Sequence, residues 1–219
     1  MKIAIDGPAG AGKSTISKAA AKKLGYIYID TGAMYRAVGL FATRNGIDSS
    51  DKNGVVSILD EVNIEIAYND GEQKIFLNGE DVSKEIRLPE ISVAASNVAV
   101  IPEVRLKLVE LQRSLAEKND VLMDGRDIGT YVLPDAEVKI FLTASVDERA
   151  KRRYKELAEK GVKADFDEVK RDIEYRDKND SEREFAPLKP AVDGVILDNS
   201  NLTIEESVDE IVKLAKQVM

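Results

Sequence analysis

Hydrophobic and polar residues follow two periodic patterns along this chain of 219 residues. Short apolar runs predict buried strands, and longer segments with an apolar residue at every third or fourth position predict helices. The predicted strands cover residues 2–6, 26–30, 121–124, 137–143 and 194–198. The predicted helices cover residues 13–24, 33–45, 51–62, 91–100, 103–118, 145–160, 167–177 and 204–218. Strands that alternate with helices predict an α/β fold with a mostly parallel sheet and right-handed crossovers.

One segment departs from this alternation. Residues 63–82 (NIEIAYNDGEQKIFLNGEDV) alternate polar and apolar side chains around the turn Asn69-Asp70-Gly71, which is the pattern of a β-hairpin. Because the hairpin interrupts the α/β order, it predicts a small inserted subdomain.

A glycine-rich stretch, DGPAGAGKST, lies between the first predicted strand and the first predicted helix. Residues 7–14 fit G-x-x-x-x-G-K-S, the pattern of a phosphate-binding loop in this strand–loop–helix context. Glycines let consecutive amides point inward as an anion nest, and the helix start adds its positive end. Lys13 supplies a cation for the outer phosphates, and the Ser14 hydroxyl can ligate magnesium. The predicted triphosphate site comprises Gly7, Pro8, Ala9, Gly10, Ala11, Gly12, Lys13, Ser14 and Thr15.

The amino-acid composition limits the residue types that could carry out catalysis and the ligands that the protein could bind. The chain has no Cys and no His, so catalysis must rest on carboxylates, Lys, Arg, backbone amides or a bound magnesium ion. The net charge of -8 argues against broad nucleic-acid binding. No apolar run approaches the length of a membrane span, and the N-terminus lacks the features of a signal peptide, so we expect a cytoplasmic protein.

Seven of the twelve arginines lie between residues 126 and 183. This cluster predicts a site for one anionic small ligand or, alternatively, a salt-bridged helix surface. Three segments could build a second anion site, since each carries arginine beside carboxylates or hydroxyls: residues 30–36 (DTGAMYR), 124–129 (DGRDIG) and 176–183 (RDKNDSER). Such a site favours a small-molecule kinase. A switch GTPase would carry N-K-x-D, which is absent, and a mechanical ATPase would end its acidic strand in adjacent carboxylates, where this chain offers only Asp124.

These motifs, together with Ser96 and the IPEVR segment at residues 101–105, occur in the order and spacing of the bacterial cytidylate kinase family, which the whole chain resembles. The resemblance implies a P-loop NTPase-type parallel sheet flanked by helices. It implies that the hairpin insertion enlarges the monophosphate-binding region and that a helical lid is present. It also implies transfer of the γ-phosphoryl group from ATP to CMP or dCMP with magnesium, giving CDP or dCDP plus ADP.

The resemblance further implies a role for each residue of the acceptor site. Ser96, Arg105 and Asp127 would read the cytosine edge, and a carboxylate suits this base because cytosine offers an amine donor where uracil offers an acceptor. The acceptor phosphate would be held by Arg36, Arg126 and Arg183, and the sugar by Thr31, Arg176 and Asp180. Many members of the family carry Ser at the position of Thr31, so the preference for ribose or deoxyribose stays open.

Structural alternatives stay open for several of these residues. Asp30 could simply cap the helix that follows it, and Arg126 could pair with Asp127. The remaining alternatives are a solvated helix end for Asp180 and Arg183, and a helix surface position for Ser96.

The basic helix at residues 148–160 is predicted to act as a lid, with a solvated charged helix as the alternative. Arg149 and Arg153 are four residues apart and share one face, so both could close over the transferring phosphoryl group. Alanine at either position is expected to cut turnover by orders of magnitude and to leave the melting temperature nearly unchanged. Asp124 is predicted to orient magnesium-bound water. The predicted catalytic residues are Lys13, Arg126, Arg149 and Arg153.

The sequence therefore predicts one nucleoside monophosphate kinase domain over residues 1–219, expected to be a monomer. Its predicted parts are a core (about 1–30, 119–146 and 184–219), a monophosphate-binding region (about 31–118) and a lid (about 147–183). Two other functions stay open. One is a P-loop kinase for another anionic acceptor, such as UMP or dephospho-coenzyme A, and the other is a nucleotide-gated switch protein.

Overall fold

The computed structural model describes residues 1–69, 72–159 and 161–218. Its strands are β1 Lys2–Asp6, β2 Ile27–Asp30, β3 Ile64–Asn69, β4 Glu72–Leu77, β5 Glu80–Asp81, β6 Val121–Gly125, β7 Val138–Thr143 and β8 Val195–Asp198. Its α-helices are α1 Lys13–Leu24, α2 Thr31–Arg44, α3 Lys52–Ser57, α4 Pro89–Val98, α5 Pro102–Glu117, α6 Val146–Glu159, α7 Phe166–Glu182 and α8 Ile204–Lys216. None of these helices combines the length and apolar character that a membrane span needs.

The main sheet has the strand order β2-β6-β1-β7-β8. The pairs β1–β6, β1–β7 and β7–β8 are parallel, as the alternation of strands and helices predicts. The register places Asp6 opposite Gly125 on one side and Phe141 on the other, so the carboxyl ends of β6, β1 and β7 meet at one edge. Ligands of open α/β sheets bind beyond this edge.

The described residues divide into two compact units. The first comprises Met1–Tyr26 and Asp120–Met219, and the second Ile27–Asn119. In the first unit, α1 packs against β6 and α8, while α6 packs against α7. The α6–α7 pair has its own apolar cluster, formed by Ala150, Leu157, Val169 and Ile173. Both helices of the predicted lid therefore belong to the first unit.

The second unit combines helices with a small antiparallel sheet in the order β3-β4-β5. Helix α2 packs closely on α4, and a Cβ added at Gly39 would lie 3.0 Å from the Ala94 Cβ, so a larger residue would force the neighbouring atoms of α4 to move. The β3–β4 pairing from Ile64↔Leu77 to Asn69↔Glu72 confirms the two strands of the predicted hairpin. The Asp70-Gly71 part of its predicted turn lies outside the described residues.

Two helices differ from the sequence-based prediction. The helix predicted at 51–62 divides into α3 and a 3-10 turn at Leu59–Glu61, because the Ile58 N–H bonds to Val55 O, three residues back. Helix α7 continues to Glu182, five residues beyond its predicted end. Its last turns are rich in polar residues, and hydrophobic periodicity misses them because their buried face is formed by charged side chains with partners.

Candidate active site

The glycine loop follows β1 directly, and its three glycines, Gly7, Gly10 and Gly12, all have positive φ angles. Gly7 has a φ of 152°, and a Cβ there would lie 1.9 Å from the Leu142 carbonyl oxygen, so no other residue fits. Lys13 begins α1 and folds back so that its Nζ donates to Pro8 O at 2.7 Å. Burial, followed by the charge of Arg126, holds the pKa of Lys13 well below its ordinary value.

A pair of oxygen ligands stands beside this lysine. The Ser14 Oγ donates to the Asp124 Oδ2 at 3.1 Å, and Asp124 is 3% exposed at the end of β6. A hydroxyl and a carboxylate are the hard oxygen donors that Mg²⁺ prefers, and Mg²⁺ usually takes only one or two protein ligands beside phosphates and water. The two residues predicted to serve magnesium therefore lie together and fit this ion.

Asp6 is a buried carboxylate that the sequence analysis missed. Its Oδ1 accepts from the Ile128 N–H at 2.7 Å and its Oδ2 from the Gly129 N–H at 2.8 Å. Asp6 thereby joins the end of β1, where the glycine loop starts, to the turn that follows Arg126 and Asp127. Burial raises its pKa to about 6, although both N–H bonds oppose that rise. The available signal was an Asp as the last residue of a largely apolar strand.

A cluster of arginines and carboxylates joins β6 to α7. The Arg126 Nε donates to the Asp180 Oδ2 at 2.7 Å, and the Arg183 Nη2 lies 3.1 Å from the Asp127 Oδ1. Arg126 therefore pairs with Asp180 and not with its neighbour Asp127. Asp180 and Arg183 are each 7% exposed, so the alternative of a solvated helix end is wrong.

Burial and neighbouring charges shift the pKa values of several groups in this cluster. Burial, followed by Arg126, lowers the pKa of Arg176 to about 10, and Arg153 contributes to this drop. Burial alone would raise the pKa of Asp180, but the attraction and hydrogen bond of Arg126, together with Arg183 and Arg176, outweigh it, and the pKa is lowered. Because Arg126 and Arg176 also lower the pKa of Lys13, the cations of the loop and of the cluster act on one another. An anion bound among them would relieve this repulsion.

The arginines of α6 differ in their surroundings. Arg149 is 4% exposed: its Nε donates to Ala144 O at 3.0 Å and its Nη1 to Ala9 O in the glycine loop at 2.8 Å. Its Nη2 pairs with the Asp177 Oδ2 at 2.6 Å. Arg153 is more exposed and pairs with Glu156 at 2.8 Å. Arg149 is therefore a buried connection between α6, α7 and the loop, whereas Arg153 lies on a partly solvated face.

A cavity of about 550 Å³ opens beside the glycine loop, between the start of α1, helix α6 and the segment after β8. Two of its lining residues were missed by the sequence analysis. Arg152 donates to Asn199 Oδ1 at 3.0 Å and to Asn199 O at 2.8 Å, and the Asn199 Nδ2 donates to Ala11 O at 3.0 Å. Asn199 directly follows β8, at the sheet edge where ligands of this fold class bind.

Four predicted acceptor residues lie in the second unit. Thr31 is buried at the start of α2, and Arg36 donates from Nη1 to the Ser92 Oγ at 2.5 Å. Arg105 is 1% exposed, donates to Ala99 O at 3.1 Å and lies with its guanidinium 5.6 Å from the centre of the Tyr35 ring. Ser96 is 8% exposed, so the alternative of a surface position is wrong.

Asp30 is an N-cap, as the structural alternative proposed. Its side chain accepts from the Ala33 N–H at 3.0 Å, and its other oxygen accepts from Arg87 at 2.8 Å.

Comparison with solved structures supports the fold. An uncharacterized protein from Eubacterium ventriosum superposes with a TM-score of 0.54 at 14% identity, covering 97% of this chain and 96% of that chain. A gluconokinase from Sinorhizobium meliloti gives a TM-score of 0.51 at 15% identity, covering 99% and 93%. At this identity the likeness concerns the fold alone, a P-loop kinase-type sheet flanked by helices.

Comparison with sequence families goes further. The family model described as cytidylate kinase matches residues 3–217. A cytidylate kinase from Caldicellulosiruptor saccharolyticus is 54% identical over 219 residues, covering 100% of this chain and 97% of that protein. A cytidylate kinase from Lactobacillus johnsonii is 54% identical over 217 residues, covering 99% and 94%. The resemblance found in the motifs is confirmed: the chain belongs to the cytidylate kinase family.

Proposed function

We propose that this protein transfers the γ-phosphoryl group of ATP to CMP or dCMP. Family membership over the whole chain supports this reaction. The observation that carries it in the first unit is the gathering of buried cations around the loop, where Arg126 and Arg176 lower the pKa of Lys13 and Arg126 lowers that of Arg176. Phosphoryl transfer needs positive charge placed in advance around the migrating group.

The donor would occupy the glycine loop. Loop amides and Lys13 would bind its phosphates, and the cavity lined by Arg152 and Asn199 has room for its base and sugar. Ser14 and Asp124 would hold the nucleotide-bound metal, which we propose to be magnesium. When bound, magnesium neutralises charge on the β- and γ-phosphates.

The acceptor would lie among the carboxylates and arginines that follow β6. We propose that Arg126 and Arg183 hold its phosphate, that Arg176 and Asp180 hold its sugar, and that Asp127 reads the cytosine amine. The ion pairs Arg126–Asp180 and Arg183–Asp127 fix these side chains in place before the acceptor binds. The acceptor roles implied for residues of the second unit stay predictions: Thr31, Arg36, Ser96 and Arg105.

The attacking group of a nucleoside monophosphate is already an anionic oxygen, so the reaction needs alignment more than a general base. This requirement suits a chain without His or Cys. The tasks of the side chains are to hold both phosphates in line, to exclude water and to balance charge. Arg153 on α6 would add positive charge from the predicted lid. A monomeric state, a cytoplasmic location and the absence of nucleic-acid binding also stay predictions.

The test is a coupled assay of ADP release with ATP and magnesium, in which CMP, dCMP, UMP, AMP and GMP are offered separately. Strong turnover with CMP and dCMP and little with the others is expected. Equal turnover with UMP would retain the kinase and contradict the proposed role of Asp127. The absence of turnover with every monophosphate would contradict the proposed reaction. Thermal protection by CMP without ATP separates a kinase from a nucleotide-gated switch, which should ignore CMP.

A further inference from the structure

The small sheet of the second unit contacts the junction between β2 and helix α2 through the side chain of Gln73. Gln73 on β4 bonds both main-chain groups of Asp30: its Oε1 accepts from the N–H at 2.8 Å, and its Nε2 donates to the carbonyl oxygen at 3.3 Å. The side-chain amide of Gln73 thus makes the two hydrogen bonds to Asp30 that the backbone of a neighbouring strand would make. Asp30 is the last residue of β2 and the N-cap of α2, so this contact fixes the backbone where strand changes to helix.

A second contact holds the Asp30 side chain. One carboxylate oxygen caps α2 through the Ala33 N–H, and the other accepts from the Arg87 Nη2 at 2.8 Å. Arg87 lies in the 3-10 turn at Glu85–Arg87, which follows the small sheet. Asp30 is 5% exposed, and a buried carboxylate needs partners for its charge. Arg87 is therefore a charged partner of the carboxylate that caps α2.

The position of the α2 start determines where two predicted acceptor-site residues lie. Thr31 is the first residue of α2, and Arg36 lies little more than one turn further along the same helix. Helix α2 packs on α4 at Gly39 without space for a side chain, and Arg36 bonds to Ser92 on α4. A displacement of the α2 start therefore moves Thr31 directly and disturbs the direction of Arg36.

We infer that Gln73 and Arg87 are positioning residues for the acceptor nucleotide, which they serve by fixing Asp30 and with it the start of α2. The inserted hairpin is then part of the machinery of the acceptor site and more than an extension of its domain. This inference rests on the proposed acceptor role of Thr31 and Arg36.

The contacts at the far end of α2 provide a matched control. Arg44, in the last turn, bonds to Glu80 at 2.7 Å and 2.9 Å and to Glu85 at 2.5 Å and 3.1 Å. This network also ties α2 to the inserted segment, but it does not touch Asp30. Replacing Arg44 weakens the connection between α2 and the inserted segment without changing the contacts of Asp30. Ile75→Val, in the buried face of β4, lowers the stability of the second unit without removing a hydrogen bond to Asp30.

The experiment compares Gln73→Met, which keeps the length of the side chain and removes its hydrogen bonds, and Arg87→Met, which keeps most of the aliphatic stem and removes the charged head, with Arg44→Met and Ile75→Val. Melting temperature, kcat, and KM for CMP and ATP are measured for each. We expect KM for CMP to rise roughly 3- to 30-fold in the first two variants, as loss of one or two hydrogen bonds predicts, with kcat and KM for ATP nearly unchanged. The two controls should leave KM for CMP unchanged.

Two further variants separate the possible failures. Asp30→Asn combined with Arg87→Met should be no worse than Asp30→Asn alone if Arg87 acts through Asp30. If Arg36→Met leaves KM for CMP unchanged, the proposed acceptor role of α2 is wrong, and the inference falls with it. If Arg36→Met raises KM for CMP while the Gln73 and Arg87 variants leave it unchanged, or raise it only as much as Ile75→Val does at equal loss of stability, the inference alone is wrong.

Discussion

The two lid arginines should differ sharply in their effect on stability. Arg149→Met removes a guanidinium that is 4% exposed and joins three partners: Ala9 O, Ala144 O and the Asp177 carboxylate. Methionine keeps most of the stem, so the change concerns the charged head. Arg153→Met removes a pair with Glu156, whose side chain is 45% exposed. The two positions share one helix and one residue type, which makes them a matched pair.

The expected magnitudes follow from burial. Removing one partner of a buried ion pair costs about 3–5 kcal/mol, because the other charge is left without compensation. The Asp177 side chain is 24% exposed and regains some water, so we take the lower end, about 3 kcal/mol. For a chain of this size, 1 kcal/mol changes the melting temperature by about 2–4 °C, which predicts a loss of roughly 6–12 °C. An exposed pair within one helix is worth about 0.3–0.5 kcal/mol, so Arg153→Met should lose no more than about 2 °C.

The assay is differential scanning calorimetry of the wild type and both variants, with turnover measured on the same samples. This expectation replaces the one drawn from the sequence, in which alanine at either position leaves the melting temperature nearly unchanged. We still expect turnover to fall in both variants, and KM for ATP to rise in Arg149→Met, because the lost bond to Ala9 O belongs to the glycine loop. A melting temperature of Arg149→Met within about 2 °C of wild type would refute the reasoning from burial.

Three other predictions concern the first unit. The pKa of Asp6 is raised to about 6 from an ordinary value of 3.8, so ionisation of this carboxyl costs the folded state free energy. The free energy of unfolding of the wild type, relative to that of Asp6→Asn, should therefore fall by up to about 3 kcal/mol as the pH rises from about 4 to about 6. Urea unfolding of both proteins measures this difference, and a difference that stays constant over this pH range would contradict the prediction. Ser14→Ala and Asp124→Asn should each raise the magnesium concentration for half-maximal turnover by roughly tenfold, and an unchanged magnesium titration would exclude the proposed ligands. Asp127→Asn should reduce the preference for CMP over UMP by roughly tenfold or more, because an amide can donate a hydrogen bond to the uracil oxygen. If the ratio of kcat/KM for CMP to kcat/KM for UMP is unchanged, Asp127 does not take part in base recognition.

Contiguous motifs allowed much of the site to be predicted from the sequence. The glycine loop with Lys13 and Ser14 occupies eight successive residues, and its conformation depends on glycines in that segment. Asp124 could be placed because it ends an apolar strand that must lie in the sheet. In each case a local pattern carries the chemistry, so no knowledge of distant partners is needed.

Partners distant in the sequence could not be predicted. Arg126 stands next to Asp127 in the chain but pairs with Asp180, 54 residues away. Arg149 has the pattern of a solvated lid residue, and its burial arises only when α7 brings Asp177 against it. Hydrophobic periodicity also ended α7 too early, because charged residues form the buried face of its last turns. Ion pairs between buried residues that are distant in the chain cannot be predicted from the pattern of residues in the sequence.

The buried charges of the first unit explain why binding and stability should be linked in this protein. Lys13 and Arg176 both have lowered pKa values, first because each is buried and then because the charge of Arg126 repels each of them. Burial is the largest cause of both shifts, and the nearby carboxylates, of which Asp180 acts on both cations, oppose the shifts without reversing them. Phosphate groups would supply the missing negative charge within the same space. If the substrates bind among these cations as proposed, their phosphates would offset the free energy that the fold spends on placing the cations together, which is the preorganisation that phosphoryl transfer requires.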